Sequence, residues 1–415
     1  MRILPVLVVL LLAACSGTGD GQSAPTQDRE AVRTGAEVLA AQSFELLAGK
    51  RVGLIANQTS RAGREHLADL LAAAPDVELA ALFGPEHGLR GDADAGLAVA
   101  DGIDDATGTP VFSLYGERRA PDPEVLRSLD VLVFDIQDIG ARFYTYIATM
   151  GLAMEAAARE GVPFVVLDRP NPLGGALVDG FVLEPEHESF VGPFPIPVQH
   201  GMTVGELARM AAGEGWIEGA DVLDLTVVGV EGWSREMLWP ETGLEWIPTS
   251  PNIPDFETAL VYPGMCFFEA TSLNEGRGTE APFLLFGAPG LSGDAVIAGL
   301  EPSGVSLNPA VYVPVSMPGR AASPRHQDEE VSGVQVEVLD PSAVRPLALG
   351  MQTLAAAVAV TGLEVLNSRW MTRLAGTERL ESMLREGLSG DAIVASWDSE
   401  VASFRQQRAP YLLYD

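Results

Sequence analysis

Two short runs, Val131-Leu-Val-Phe-Asp135 and Phe164-Val-Val-Leu-Asp168, are apolar without alternation and end in an aspartate. A strand that is apolar on both faces needs cover on both faces, which describes a parallel sheet between layers of helices. The rest of the first half agrees. Apolar runs predict strands over 51–57, 77–83, 110–114 and 225–230, and helical patterns over 64–73, 126–129, 146–160 and 203–212. Gly161 and Pro163 end the helix over 146–160. Thr203 followed by Glu206 has the spacing of a capping box. Strand–helix alternation of this kind is an α/β fold built on a parallel sheet.

The pattern changes after Trp239-Pro240. Pro248, Pro251, Pro254 and Pro263 predict a long, stiff irregular stretch. A smaller α+β region follows, with a strand over 334–338 and helices over 347–360, 380–386 and 392–397. At 415 residues there is enough chain for two cores. With 26 basic and 57 acidic side chains, a net charge of −31 leaves no basic footprint for nucleic acid. A hydrophobic content of 47% excludes a disordered chain.

The N-terminus speaks to location. Arg2 precedes an apolar run over 3–14, too short to span a bilayer and shaped like an export signal. Leu12-Ala-Ala-Cys15 resembles the lipobox of bacterial lipoproteins, in which the chain is cut before a cysteine that is then acylated. The resemblance implies a signal peptide over 1–14 and a lipid anchor on Cys15, and residues 15–34 read as a tether. The expected site of action is the bacterial cell envelope, membrane-anchored on the periplasmic or outer side. Cys266, the other cysteine, is expected to be a buried small hydrophobe.

Several strands end in polar clusters: Asn57-Gln-Thr59, Gly84-Pro-Glu-His87, Asp135-Ile-Gln-Asp138 and Asp168-Arg-Pro-Asn171. In open α/β sheets ligands bind outside the carboxyl ends of the strands, so the clusters share one rim. No Gly-x-Gly-x-x-Gly, phosphate loop, His-Glu-x-x-His or Gly-x-Ser-x-Gly occurs. His66, His87, His187, His200 and His326 have no metal-ligand spacing, and no cofactor or metal is expected. Carboxylates remain. A carboxylate on a Gly-rich, partly apolar rim, as Glu86 is, can serve as an acid near neutral pH. Asp92 and Asp94 follow in an acidic loop, and Asp135 and Asp168 stand where an aspartate either caps the next helix or contacts a ligand. Arg90, Arg142, Arg169 and Arg277 sit in or beside such clusters and suit an anion, since a guanidinium fork binds both oxygens of a carboxylate.

Taken together the motifs resemble the exo-β-N-acetylmuramidase NamZ family. They are Leu82-Phe-Gly-Pro-Glu-His-Gly-Leu-Arg-Gly-Asp-Ala-Asp-Ala-Gly96, Ser113-Leu-Tyr-Gly116, Val133-Phe-Asp-Ile-Gln-Asp-Ile-Gly-Ala-Arg-Phe-Tyr-Thr-Tyr146, Leu167-Asp-Arg-Pro-Asn-Pro-Leu-Gly-Gly175, Pro195-Ile-Pro-Val-Gln-His-Gly-Met202, Pro251-Asn-Ile-Pro254, Ala259-Leu-Val-Tyr-Pro-Gly264 and Glu275-Gly-Arg-Gly-Thr279. The resemblance implies a Rossmann-like catalytic domain over 35–245, a smaller C-terminal α/β domain over 246–415, and an active cleft between them. It implies a glycoside hydrolase that frees N-acetylmuramic acid from the non-reducing end of peptidoglycan-derived glycan fragments. Glu86 is the implied catalytic acid and His87 its neighbour in the motif. The implied substrate contacts are Asn57, Arg90, Asp92, Asp94, Asp135, Gln137, Arg142, Tyr144, Asp168, Arg169, Asn171, His200, Asn252, Glu275 and Arg277. One departure is Ser332, where relatives usually carry a cysteine before the Gly-Val-Gln strand. Another is the stretch over 319–330, unusually rich in Arg, Asp and Glu. Two alternatives stay open: a surface lipoprotein that binds muropeptides or sugars without turnover, and an exo-glycosidase for another amino sugar.

Overall fold

The computed structural model describes residues 31–91, 101–116 and 118–415, so Cys15, Asp92 and Asp94 lie outside the described residues. Ala31–Asp415 form one compact unit. Its centre is a seven-stranded sheet of β1 (Arg51–Ala56), β2 (Glu78–Gly84), β3 (Gly102–Ile103), β4 (Pro110–Ser113), β5 (Val131–Asp135), β6 (Phe164–Leu167) and β7 (Leu225–Val228). The spatial order is β7-β6-β5-β1-β2-β4-β3. All neighbours are parallel except β3, which pairs antiparallel with β4. The six parallel strands thus follow the order of dinucleotide-binding sheets. The chain leaves β1 toward β2 on one side and leaves β5 toward β6 on the other. The carboxyl ends of β1 and β5 therefore border the crevice where such sheets bind ligands.

The unbroken apolar runs are explained by burial. All five residues of β5 are buried. Its alternate residues serve two cores: Val131 and Val133 pack with Leu54, Leu67 and Leu71, whereas Leu132 and Phe134 pack with Ile55, Ile147 and Met150. Helices α1 (Gly35–Ala41) and α2 (Leu67–Ala73) cover the first face, and α3 (Tyr146–Glu160) and α4 (Val204–Gly213) the second. The helix over 146–160 has its expected bounds and stops at Gly161, at a φ of 67°. The Thr203–Glu206 capping box also forms.

Elsewhere the expectations shift. The helix expected over 64–73 starts at Leu67, because Glu65–His66 first pair with Arg61–Ala62 and the His66 ring accepts the Ala68 amide. The short helix expected over 126–129 is Pro123–Leu126, started by the Asp122 cap and Pro123 at the first helical turn. The stretch expected to be irregular contains a buried helix, α5 (Phe256–Met265), with Pro263 inside it and Asp255 as its cap. A second sheet, in the order β8 (Leu285–Ala288), β10 (Val331–Val338), β9 (Val305–Tyr312), is antiparallel. Only β10 was partly expected, over 334–338; Pro309 masked β9, which tolerates it as an edge strand. Helix α6 (Pro346–Thr361) crosses α5 where Gly264 meets Gly350. A Cβ on Gly264 would stand 1.8 Å from the Pro346 carbonyl oxygen, so no larger residue fits there.

The chain's last residues return to the first sheet. The Tyr414 hydroxyl donates to Asp168 Oδ2 at 2.5 Å, and the Leu413 amide donates to Glu206 Oε1 at 2.8 Å.

Candidate active site

The loops after β1 and β5 are locked to each other. Asn57 Oδ1 accepts from the Thr59 amide (2.9 Å) and hydroxyl (2.6 Å), the Gln137 amide donates to Thr59 Oγ1 at 3.0 Å, and the Ser60 hydroxyl donates to the Asp135 carbonyl. Asp135, fully buried, takes a two-point ion pair from Arg169, with Nε to Oδ1 at 2.6 Å and Nη2 to Oδ2 at 2.9 Å. Asn171 pins its own loop by accepting the Leu173 amide and donating to the Met202 carbonyl, each at 3.0 Å.

Three residues expected at the substrate are instead supports. Asp168 is fully buried at the start of α4 and accepts from Thr203 Oγ1, the Gly205 amide and the Tyr414 hydroxyl; burial pushes its carboxyl up to about 6. Capping explains it. Arg142 is fully buried and donates to the carbonyls of Phe181, Ile196 and Leu374, each at 2.8 Å, so it ties three segments together. Burial lowers its guanidinium to about 9. His200 is also fully buried. Its Nδ1 accepts the Met202 amide, Nε2 faces Asp138 Oδ2 at 3.9 Å, and burial holds the ring neutral with a pKa near about 3. Burial likewise raises Asp138 to about 7.

Glu86 stands apart from these supports. It follows β2 on a tight turn that the Gly88 amide closes onto the Pro85 carbonyl at 2.9 Å. His87, buried, adopts a φ of 70° at the turn position that usually requires glycine. A non-glycine residue held there is strained, and such strain gathers at functional sites. The Glu86 side chain is half-buried and accepts from the Thr145 hydroxyl at 3.3 Å. Three phenols feel its charge. Burial, then the charge of Glu86 and a hydrogen bond to it, push the Tyr115 hydroxyl up to about 12. The same charge adds to burial in raising Tyr144 and Tyr146. Tyr144 and Tyr146 donate to the Thr249 hydroxyl (2.7 Å) and carbonyl (2.8 Å), and Gln58 Nε2 donates to the Pro248 carbonyl at 2.9 Å. The 248–249 segment thereby closes over the rim. Of these groups only Tyr144 was expected; Tyr115, Thr145, Tyr146 and Thr249 were not. Tyr115, Thr145 and Tyr146 do lie in motifs, and their hydroxyls were the available signal.

The remaining expected contacts are engaged with partners of their own. Arg90 pairs with Asp69 (2.7 Å) and Asp104 (2.8 Å) and holds the Asp104 carboxyl down at about 2. Arg277 pairs with Glu269 (2.7 Å) and Glu275 (3.1 Å), and Glu275 also pairs with Arg325 (2.5 Å). These groups line a cavity of about 620 Å³ with Arg320 and Trp370. Asn252 adjoins it by donating to the Arg320 carbonyl at 2.7 Å. The unusual 319–330 stretch thus forms one wall of this cavity. Among the described residues one group converges as metal ligands would, Glu184, Glu186 and His187. Glu184 in that group is already paired with Thr377 and Arg379.

The chain as a whole has counterparts among known proteins. Residues 52–257 match the family described as exo-beta-N-acetylmuramidase NamZ, N-terminal, and residues 260–414 its C-terminal counterpart. A curated Bacillus subtilis protein, peptidoglycan beta-N-acetylmuramidase NamZ, is 40% identical over 97% of this chain and 96% of its own length. Two solved DUF1343 family proteins of Bacteroides fragilis share the fold. One has a TM-score of 0.85 and 37% identity over 92% of this chain and 99% of its own; the other has 0.76 and 33% over 93% and 99%. With both family segments matched in order and the fold shared along nearly the whole length, the chain belongs to the exo-β-N-acetylmuramidase NamZ family.

Proposed function

We propose that this chain removes N-acetylmuramic acid from the non-reducing end of peptidoglycan fragments, and that Glu86 protonates the oxygen of the departing sugar. The observation that carries the reading is the half-buried Glu86 carboxylate on a strained turn at the carboxyl edge of the sheet, faced by Thr145 and Tyr115. Cleavage of a glycosidic bond needs a carboxylic acid at the leaving oxygen. Charge at the anomeric carbon is then met by a second carboxylate or by the substrate's own acetamido group. The Thr145 and Tyr115 hydroxyls help to fix the direction of the Glu86 side chain, which is what acid catalysis demands of geometry. The test is a chromogenic β-N-acetylmuraminide together with a glycan fragment ending in N-acetylmuramic acid. Release of free N-acetylmuramic acid only from that end is expected. Tight binding without release would mean a binding protein, and faster release of another amino sugar would mean a different exo-glycosidase.

We further propose that the protein is a lipoprotein. The Leu12-Ala-Ala-Cys15 sequence after a short apolar run supports a cleaved signal over 1–14 and acylation of Cys15. Two or more acyl chains hold a protein on a membrane far more firmly than one. Cys15→Ala is expected to shift the protein from the membrane to the soluble fraction after cell fractionation; equal membrane retention of the variant would remove the lipid anchor.

A further inference from the structure

The arginines that the motifs offer for an anion are all engaged within the protein: Arg90 with Asp69 and Asp104, Arg142 with three carbonyls, Arg169 with Asp135, and Arg277 with Glu269 and Glu275. Arg119 differs. It is exposed, and among the described residues no carboxylate lies within ion-pair distance of it. Its guanidinium is stacked over the Phe190 ring, 4.4 Å from the centroid. Phe190 in turn lies 6.5 Å, ring to ring, from Tyr115, the phenol that faces Glu86. The cation therefore stands two ring contacts from the catalytic carboxylate. A stacked guanidinium keeps its edge donors free for a ligand, and the stacking fixes the direction in which they point.

Arg119 also lines a cavity of about 410 Å³ whose other walls suit an amino sugar. Trp216, half-buried and backed by the buried Phe194 ring at 5.7 Å, provides an apolar surface for the CH face of a ring or an acetamido methyl group. Glu155 and Glu188 share the lining. Carboxylates there accept from hydroxyls and an amide N–H but repel an anion, so Arg119 is the cationic side chain of the lining available to a ligand carboxylate. N-acetylmuramic acid differs from N-acetylglucosamine by a lactyl ether that carries a carboxylate. We propose that Arg119 reads this lactyl carboxylate, and that the cavity it shares with Phe194 and Trp216 holds the terminal sugar and selects muramic acid over glucosamine. This rests on the muramidase reading above and names the residue that makes its substrate choice.

The experiment compares wild type, Arg119→Ala and Arg119→Lys on matched chromogenic β-glycosides of N-acetylmuramic acid and N-acetylglucosamine. Hydrogen bonds to a charged group make about 10- to 150-fold of difference. Arg119→Ala is therefore expected to lose about 10- to 150-fold in kcat/KM on the muraminide, chiefly through KM, and less than about 3-fold on the glucosaminide. Arg119→Lys is expected to recover part of the loss, since it restores the charge but not the fork. Equal losses on both glycosides would show a merely structural role and overturn the proposal, as would an unchanged preference. If the wild type turns over neither glycoside, the muramidase reading fails. Calorimetric binding of free N-acetylmuramic acid and N-acetylglucosamine then decides on Arg119. Loss of the muramic preference in Arg119→Ala supports the assignment, and retention of it overturns it.

Discussion

Glu86→Gln is expected to fold as the wild type does and to lose about 10²- to 10⁴-fold in kcat on a glycan fragment ending in N-acetylmuramic acid, the range for removing a general acid. The change keeps the volume and the contact with the Thr145 hydroxyl, so the loss is chemical and not structural. A leaving group that needs no proton separates the two. On a glycoside of an acidic nitrophenol the variant is expected to recover much of its rate, whereas on a sugar–sugar bond it is not. Wild-type activity of a folded Glu86→Gln protein on the sugar–sugar bond would refute the acid assignment.

Arg169→Met is the change expected to cost most in stability. Asp135 has no exposed side-chain surface and its partner is only 5% exposed, so removing the guanidinium leaves a charge buried at the end of a central strand. Breaking a buried pair from one side costs about 3–5 kcal/mol, a large part of the 5–15 kcal/mol that holds a typical fold. Urea unfolding followed by circular dichroism measures it. The double variant Arg169→Met with Asp135→Asn is expected to recover most of the loss, because no uncompensated charge then remains. A single variant that unfolds at the wild-type midpoint would show that water or another group already serves Asp135.

The main sheet was legible because its strands carry their own evidence. Val131–Asp135 is buried on both faces, and nothing but a doubly covered strand explains five such residues in a row. Thr203 and Glu206 likewise announce a helix start through local chemistry. Helix Phe256–Met265 was hidden because Pro263 reads as a breaker, whereas tertiary burial on all sides overrides that preference. At the site, the rim itself was legible, since strand ends are visible in sequence. Partnerships were not. Arg142 and Arg119 look alike in a sequence, yet one is enclosed by the carbonyls of segments up to 232 positions away and the other lies open over Phe190. Long-range pairing of this kind has no local signal. Tyr115 was missed for the same reason, because its role comes from meeting Glu86 in space.

The return of the chain's last residues to the first sheet bears on how the protein is made. Asp168 closes β6, but one of its donors, Tyr414, lies 246 positions later, and Glu206 in helix α4 waits for the Leu413 amide. During synthesis every parallel strand emerges long before these two groups do. A nascent chain can therefore collapse into its sheet but cannot make these two locking contacts until residues 413 and 414 have been added. Clipping the chain after residue 410 would leave all six parallel strands in place and return the finished protein to that unlocked condition.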